Sequence, residues 1–261
     1  MPTEMQDYLF DLRGYVMLEG ALNKAHVDQL NADIDALLPM APGEWKGHVH
    51  RHDSGKGNQL HLQNIYENGA AFERLIDHPA WINHINRYVG GDDGLFIDEA
   101  FLIQQGPGPG QQFHSGGHKR KIRTQFRFHN NEFRCGQVNV LIALTDIGPG
   151  DGPTMVIPGS HKSNLMHPVY KLQDRRLGEV EVKEAAPVHY KAGDALVFVD
   201  CLAHAGGARV NPGYRRVLVI RYGPHWGHNR YGYRPSAELL ARLTPAQRQI
   251  LQPIPPFLPP G

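Results

Sequence analysis

From Leu95 onward the apolar residues come in short runs, each closed by Gly or Pro. The runs occupy residues 95–103, 137–145, 154–157, 181–188, 195–199 and 217–222, and the segment Gly106-Pro107-Gly108-Pro109-Gly110 is an explicit turn between two of them. Many short strands separated by turn signals predict a mainly β protein, a sandwich or barrel. The flanks read differently. Asn23 can cap a helix whose Val27, Leu30, Ile34 and Leu37 share one face, ended by Pro39. Residues 11–18 read as a short strand and 43–62 as a long polar loop. Residues 70–88 are weakly helical with an interruption at Pro79. Helices return at 237–243 and 245–251, before a Pro-rich extended tail at 253–261. No repeat or flexible linker divides residues 1–261, so one domain is expected.

Composition supplies the material for one core: 261 residues, 41% apolar and 20% charged. A net charge of +1 gives no bulk field for nucleic acid or a membrane surface. No window approaches 18 consecutive apolar residues, so no membrane helix is expected. Cys135 and Cys201 are too few for a disulfide framework. Met1 to Gly20 lacks a basic stretch followed by a continuous apolar one. A cytoplasmic, reduced setting is expected.

Sixteen histidines stand in this chain, and most need no special role. Two are placed differently. His114 follows a Gly-rich turn, and His204, 90 residues on, follows the apolar run Ala195–Val199. Two strand-borne histidines, the first followed two residues later by a carboxylate, form the facial site that holds Fe(II). In this chain the carboxylate position is Gly116. Arg215 follows His204 by 11 residues and opens the last apolar run.

Several segments together resemble the phytanoyl-CoA dioxygenase family of Fe(II)/2-oxoglutarate oxygenases. They are Arg13-Gly14-Tyr15-Val16, the stretch from Gly150-Asp151-Gly152-Pro153-Thr154 to Pro158-Gly159-Ser160-His161-Lys162, Gly193-Asp194-Ala195-Leu196-Val197-Phe198, and His204 with Arg215-Arg216-Val217-Leu218. The resemblance runs from about Leu9 to Gly223. It implies a double-stranded β-helix (jelly roll, cupin-like) with flanking helices, and oxidation of an organic substrate by O2 coupled to decarboxylation of 2-oxoglutarate. It departs at one place, since the family usually has His-x-Asp where this chain has His114-Ser115-Gly116. Halogenases of the wider class carry Gly or Ala there, and chloride takes the vacated position.

The resemblance gives each residue an expected role. His114 and His204 are the metal ligands. Arg215 holds the far carboxylate of 2-oxoglutarate, which a guanidinium fork suits. Gly116 leaves three readings open. A halide or water fills the position, another carboxylate such as Asp200 is recruited, or the site binds metal poorly. Asp200 precedes His204 by four residues, about 13 Å of regular strand. Gln137 and Asn139 alternate on one strand face and could hydrogen-bond 2-oxoglutarate, a halide or substrate. Thr154 could assist the co-substrate. Arg216, next to Arg215, faces the other way and reads as a surface arginine. The basic run His118-Lys119-Arg120-Lys121-Ile122-Arg123 with Arg127 would fit an anionic small-molecule substrate, or is a solvated loop. Gly106, Gly108 and Gly110 are turn residues, and so are Asp146 and Asp151. Two rival classes stay open: a non-catalytic jelly-roll binding protein, and a cupin-like metal enzyme independent of 2-oxoglutarate.

Overall fold

The computed structural model describes residues 1–53, 57–90, 94–115, 124–173, 181–225 and 235–251. The basic run at 118–123, Gly116 and the Pro-rich tail lie outside them.

The chain opens with α1 (Glu4–Arg13), which the sequence reading did not anticipate. Thr3 and Gln6 form a reciprocal capping box at its start. Gly14 ends it at φ +86°, where an added Cβ would sit 2.7 Å from His161 Nδ1, so no side chain fits there. β1 (Tyr15–Leu18) and α2 (Lys24–Asp35) follow. Asn23 Oδ1 caps α2 by accepting from the His26 amide, and Val27, Leu30 and Ile34 are buried, as their spacing predicts.

The stretch expected as a long loop instead carries β2 (Trp45–Lys46), β3 (Val49–Arg51) and the start of β4 (Gln59–Gln63). Short helices α3 (Ala70–Glu73) and α4 (Ile82–Val89) lead to β5 (Leu95–Gln105). A small hairpin, β6 (Phe128–His129) and β7 (Glu132–Phe133), precedes β8 (Val138–Ala143) and β9 (Thr154–Val156). Of residues 181–188 only β10 (Ala186–Val188) is strand. β11 (Ala195–Val199), β12 (His204–Gly206) and β13 (Arg215–Pro224) complete the sheets, and α5 (Ala237–Arg242) and α6 (Pro245–Leu251) close the described chain.

Eight strands form one antiparallel sheet in the order β1-β11-β8-β13-β5-β4-β3-β2, and β10-β9-β12 form a second. This is the jelly-roll arrangement that the resemblance implies. The large sheet has two different faces because side chains alternate along each strand. On β13, Leu218, Ile220 and Tyr222 lie on the helix-covered face. The Tyr222 hydroxyl accepts from Trp81 Nε1 at 3.0 Å and donates to Ile76 O at 2.9 Å, which fixes the segment before α4 to the sheet. Arg216 is on the same face and fully buried, not at the surface. It donates to Gln104 Oε1 at 2.7 Å and Asn31 Oδ1 at 3.0 Å, and pairs with Asp35 at the end of α2. The other face looks toward the small sheet. A separate cluster of Phe113, Ile157, Val169, Ala203 and Ala205 is buried behind the small sheet's strands.

Candidate active site

Strand register brings the site together row by row. Arg215 pairs with Gln105, and Gln105 with Gln59. One row on, Val217 pairs with Ile103 and Ile103 with His61. Next come Val219, Phe101 and Gln63, then Arg221 with Glu99 on one side and Asn139 on the other. These residues share one face, and between that face and the small sheet lies a cavity of about 360 Å³. Thr154, His204 and Gly206 line it from the small sheet, and His114 and Gln111 from the turn beside it.

His114 and His204 stand directly opposite each other. Their backbones exchange both hydrogen bonds, at 3.1 and 3.2 Å, and the imidazole centroids are 4.1 Å apart. Each ring holds a backbone carbonyl two residues before it through Nδ1: His114 to Gln112 O at 3.0 Å, His204 to Leu202 O at 2.7 Å. A carbonyl only accepts, so Nδ1 carries the proton and the lone pair of each ring sits on Nε2. Burial, then the neighbouring His114, pushes the His204 pKa down to about 3, which keeps the ring neutral. Two imidazoles fixed side by side across a backbone bridge, each with Nδ1 engaged, are a fitting donor pair for a divalent ion through Nε2 of the neutral rings.

Arg215 is almost fully buried. Its Nε donates to Gln105 Oε1 at 2.9 Å, and its two terminal nitrogens have no hydrogen-bond partner among the described residues. Burial lowers its pKa, while the nearby Tyr190 opposes that shift. Across from it, an added Cβ on Gly206 would lie 2.8 Å from Arg215 Nη2, so the missing side chain is what leaves room for the guanidinium. Thr154 Oγ1 and the Tyr190 hydroxyl are 2.7 Å apart at the same end.

Of the residues expected in the site, His114, His204, Arg215, Asn139 and Thr154 line the cavity. Gln137 is buried just before β8 and does not line it. Gly116 lies outside the described residues. Asp200 does not join the histidine pair. It accepts from Asn139 Nδ2 at 3.0 Å, and among the described residues no group of three His, Cys, Asp or Glu is placed to hold a metal. Asp151 acts as a turn residue, accepting from Gly148 N at 3.0 Å. Sequence reading missed Gln105, Gly206, Glu99 and Gln63, which enter only through pairing between distant strands.

A jelly roll in which a cross-strand histidine pair, His204 buried and His114 exposed, lines the same cavity as a buried arginine has the layout of the iron- and 2-oxoglutarate-dependent oxygenase class. A model of the phytanoyl-CoA dioxygenase family, PhyH, matches residues 10–217. The chain belongs to that family, and is an oxidoreductase whose cofactors are iron and 2-oxoglutarate. The dioxygenase cdmD of Talaromyces verruculosus is 23% identical over 95% of this chain and 84% of its own length. The Fe(II)/2-oxoglutarate-dependent dioxygenase nvfF of Aspergillus novofumigatus is 25% identical, covering 79% of this chain and 67% of nvfF. In fold, the chain is similar to HygX from Streptomyces hygroscopicus, crystallised with nickel, 2-oxoglutarate and hygromycin B. The TM-score is 0.75 at 20% identity, over 85% of this chain and 88% of HygX. Among the described residues no helix is long and apolar enough to cross a membrane.

Proposed function

We propose that this enzyme oxidises an unactivated C–H bond of a small organic molecule, with His114 and His204 as the protein ligands to Fe(II) and Arg215 as the anchor of 2-oxoglutarate. The observation that carries this reading is the cross-strand histidine pair facing the same cavity as a buried arginine whose two terminal nitrogens have no partner among the described residues. Iron and 2-oxoglutarate, when bound, supply the oxidant. The chain's own part is positioning and exclusion. The two Nδ1–carbonyl bonds set the ring orientations before a metal arrives. Gln105 holds the Arg215 fork still, so a carboxylate meets a preformed bidentate donor. Thr154 and Tyr190 offer hydroxyls beside it. Phe101, Ile103, Leu141, Phe198, Val217 and Val219 keep the reacting C–H in an apolar surround from which water is excluded.

Gly116 supports an open third position, filled by a halide or water in place of a protein carboxylate. The engagement of Asp200 with Asn139 supports this over recruitment of that residue. A halide there directs the product toward halogenation and a water toward hydroxylation. An anionic substrate was expected from the basic run 118–123 with Arg127.

Anaerobic addition of Fe(II) and 2-oxoglutarate tests the reading. A visible metal-to-ligand charge-transfer band is expected, and one that responds to chloride would put an anion at the open position. Absence of any band in folded protein would favour a jelly-roll binding protein instead. The halide assignment fails if the band ignores chloride and Gly116→Asp raises hydroxylation.

A further inference from the structure

Arg215 and Arg221 lie six residues apart on one face of β13, about 20 Å of strand. The Arg215 end is used by the proposed co-substrate site, and the Arg221 end is not. Asn139 lies there, cross-strand from Arg221, buried and lining the cavity. Its Nδ2 donates to Asp200 Oδ1 at 3.0 Å. A carboxylate accepts and an amide nitrogen donates, so this bond fixes which way round the amide sits. What remains is the carbonyl oxygen, Oδ1, buried and without a hydrogen-bond partner among the described residues. A buried acceptor left unmatched is costly, and only a donor satisfies it.

Glu99 is the neighbour of Arg221 on the other side. Gln63 Nε2 donates to Glu99 Oε1 at 2.9 Å, and Arg221 Nη1 stands 3.4 Å from Glu99 Oε2. These two groups hold the carboxylate in place at the cavity wall, and the charge of Arg221 is directed at it. The Arg221 end therefore presents two acceptors, a carbonyl oxygen and a carboxylate, beside the Arg221 guanidinium whose charge the carboxylate matches. The wall between the two ends is apolar, from Phe101, Val219 and Leu141.

We infer that Asn139 Oδ1 and the Glu99 carboxylate form an acceptor-lined subsite that orients the substrate through its hydroxyl or amine hydrogens. The inference rests on the oxygenase reading for the position of the reacting C–H, and it names the substrate class: a molecule with an apolar body and a donor group at one end. An anionic group placed at this end would meet two acceptors. By the same argument Asn139 is not a ligand for a halide or for 2-oxoglutarate, since neither can donate to it.

Three probes on one ring test this: cyclohexylamine, cyclohexanol and cyclohexanecarboxylate. Binding is read by ligand-observed NMR on the full chain with Zn(II), a diamagnetic and redox-silent ion, and saturating 2-oxoglutarate to occupy Arg215. The amine and alcohol should bind at least about tenfold more tightly than the carboxylate. Glu99→Gln should weaken the amine by about tenfold and leave the 2-oxoglutarate signal unchanged. Asp200→Asn can donate to the Asn139 carbonyl and let the amide turn round. It should weaken the alcohol although it adds nothing to the cavity wall. The subsite is overturned if the carboxylate binds as tightly as the amine, if both variants keep the wild-type preference, or if no probe binds while 2-oxoglutarate does. Failure of 2-oxoglutarate itself to bind the wild type would overturn the oxygenase reading, and the subsite with it.

Discussion

At the scale of single residues, the co-substrate end depends on an atom that is not there. Gly206 is not in a left-handed conformation, so backbone freedom does not explain it. Its role is room: a Cβ would stand 2.8 Å from Arg215 Nη2 and 3.3 Å from Gln111 Oε1. Gly206→Ala should therefore push the guanidinium off its line while leaving the histidine pair alone. The expected result is a rise of about tenfold in the Kd for 2-oxoglutarate, the worth of one displaced charge-assisted hydrogen bond. Fe(II) affinity should be unchanged. Anaerobic titration of the charge-transfer band measures the first quantity and competition with a metal indicator the second. An unchanged 2-oxoglutarate Kd would mean that Arg215 does not anchor it in this pose. The three residues that sequence spacing singled out, His114, His204 and Arg215, do line one cavity, because each carries its chemistry in its own side chain. Gly206 was visible two places after His204 but silent, since its contact is with a residue that the fold brings back.

At the scale of elements, β13 separates two jobs by one residue. Arg215 points to the cavity and Arg216 to the helix layer, where it ties β13 to β5 and to α2. Replacing each by Met should divide their effects cleanly. Arg216→Met leaves Gln104 and Asn31 without their donor and should destabilise by about 2–3 kcal/mol in denaturant unfolding, with 2-oxoglutarate affinity kept. Arg215→Met should abolish 2-oxoglutarate binding at little cost in stability. Equal effects of the two on either measurement would contradict the two-faced strand. The alternation that sends these residues opposite ways was legible in the sequence, but the burial of Arg216 was not, because its partners are more than a hundred residues away. The same reason explains the elements that were missed. β2 and β3 are two- and three-residue strands whose order comes from pairing outward from β5 through β4, too short for alternation to show. β4 does alternate, with Leu60 and Leu62 between polar residues, but lies in a His- and Gly-containing polar stretch that reads as loop. In α1 only Phe10 is buried, so no apolar stripe announced it. The capping box at Thr3 and Gln6 was the signal available.

At the scale of the whole molecule, a sheet covered by helices on one face and lined by a cavity on the other holds buried and half-buried histidines on both. His61 lies at the cavity; His78 and His84 lie in the layer around α4, and His225 at the end of β13. Burial pushes the pKa of all four below the ordinary 6.5. The sign follows from proton counting. In the unfolded chain these rings take up protons as pH falls through 6.5, while in the folded chain they do not until a lower pH. Between those limits the unfolded state binds more protons, so stability is fully present above pH 6.5 and declines as pH drops below it. Asp151, whose carboxyl is held below its usual range by Asn211, the Gly148 amide and Arg209 against the effect of burial, lends stability that is lost only at more acidic pH. The thermal midpoint of the metal-free chain should thus be level from pH 8 to 7 and fall between pH 6.5 and 5, by roughly 2–4 °C for each kcal/mol lost. His61→Gln should make the slope shallower in that window. A midpoint that stayed flat to pH 5, or rose, would show that these rings are not held neutral by the packing of the two layers.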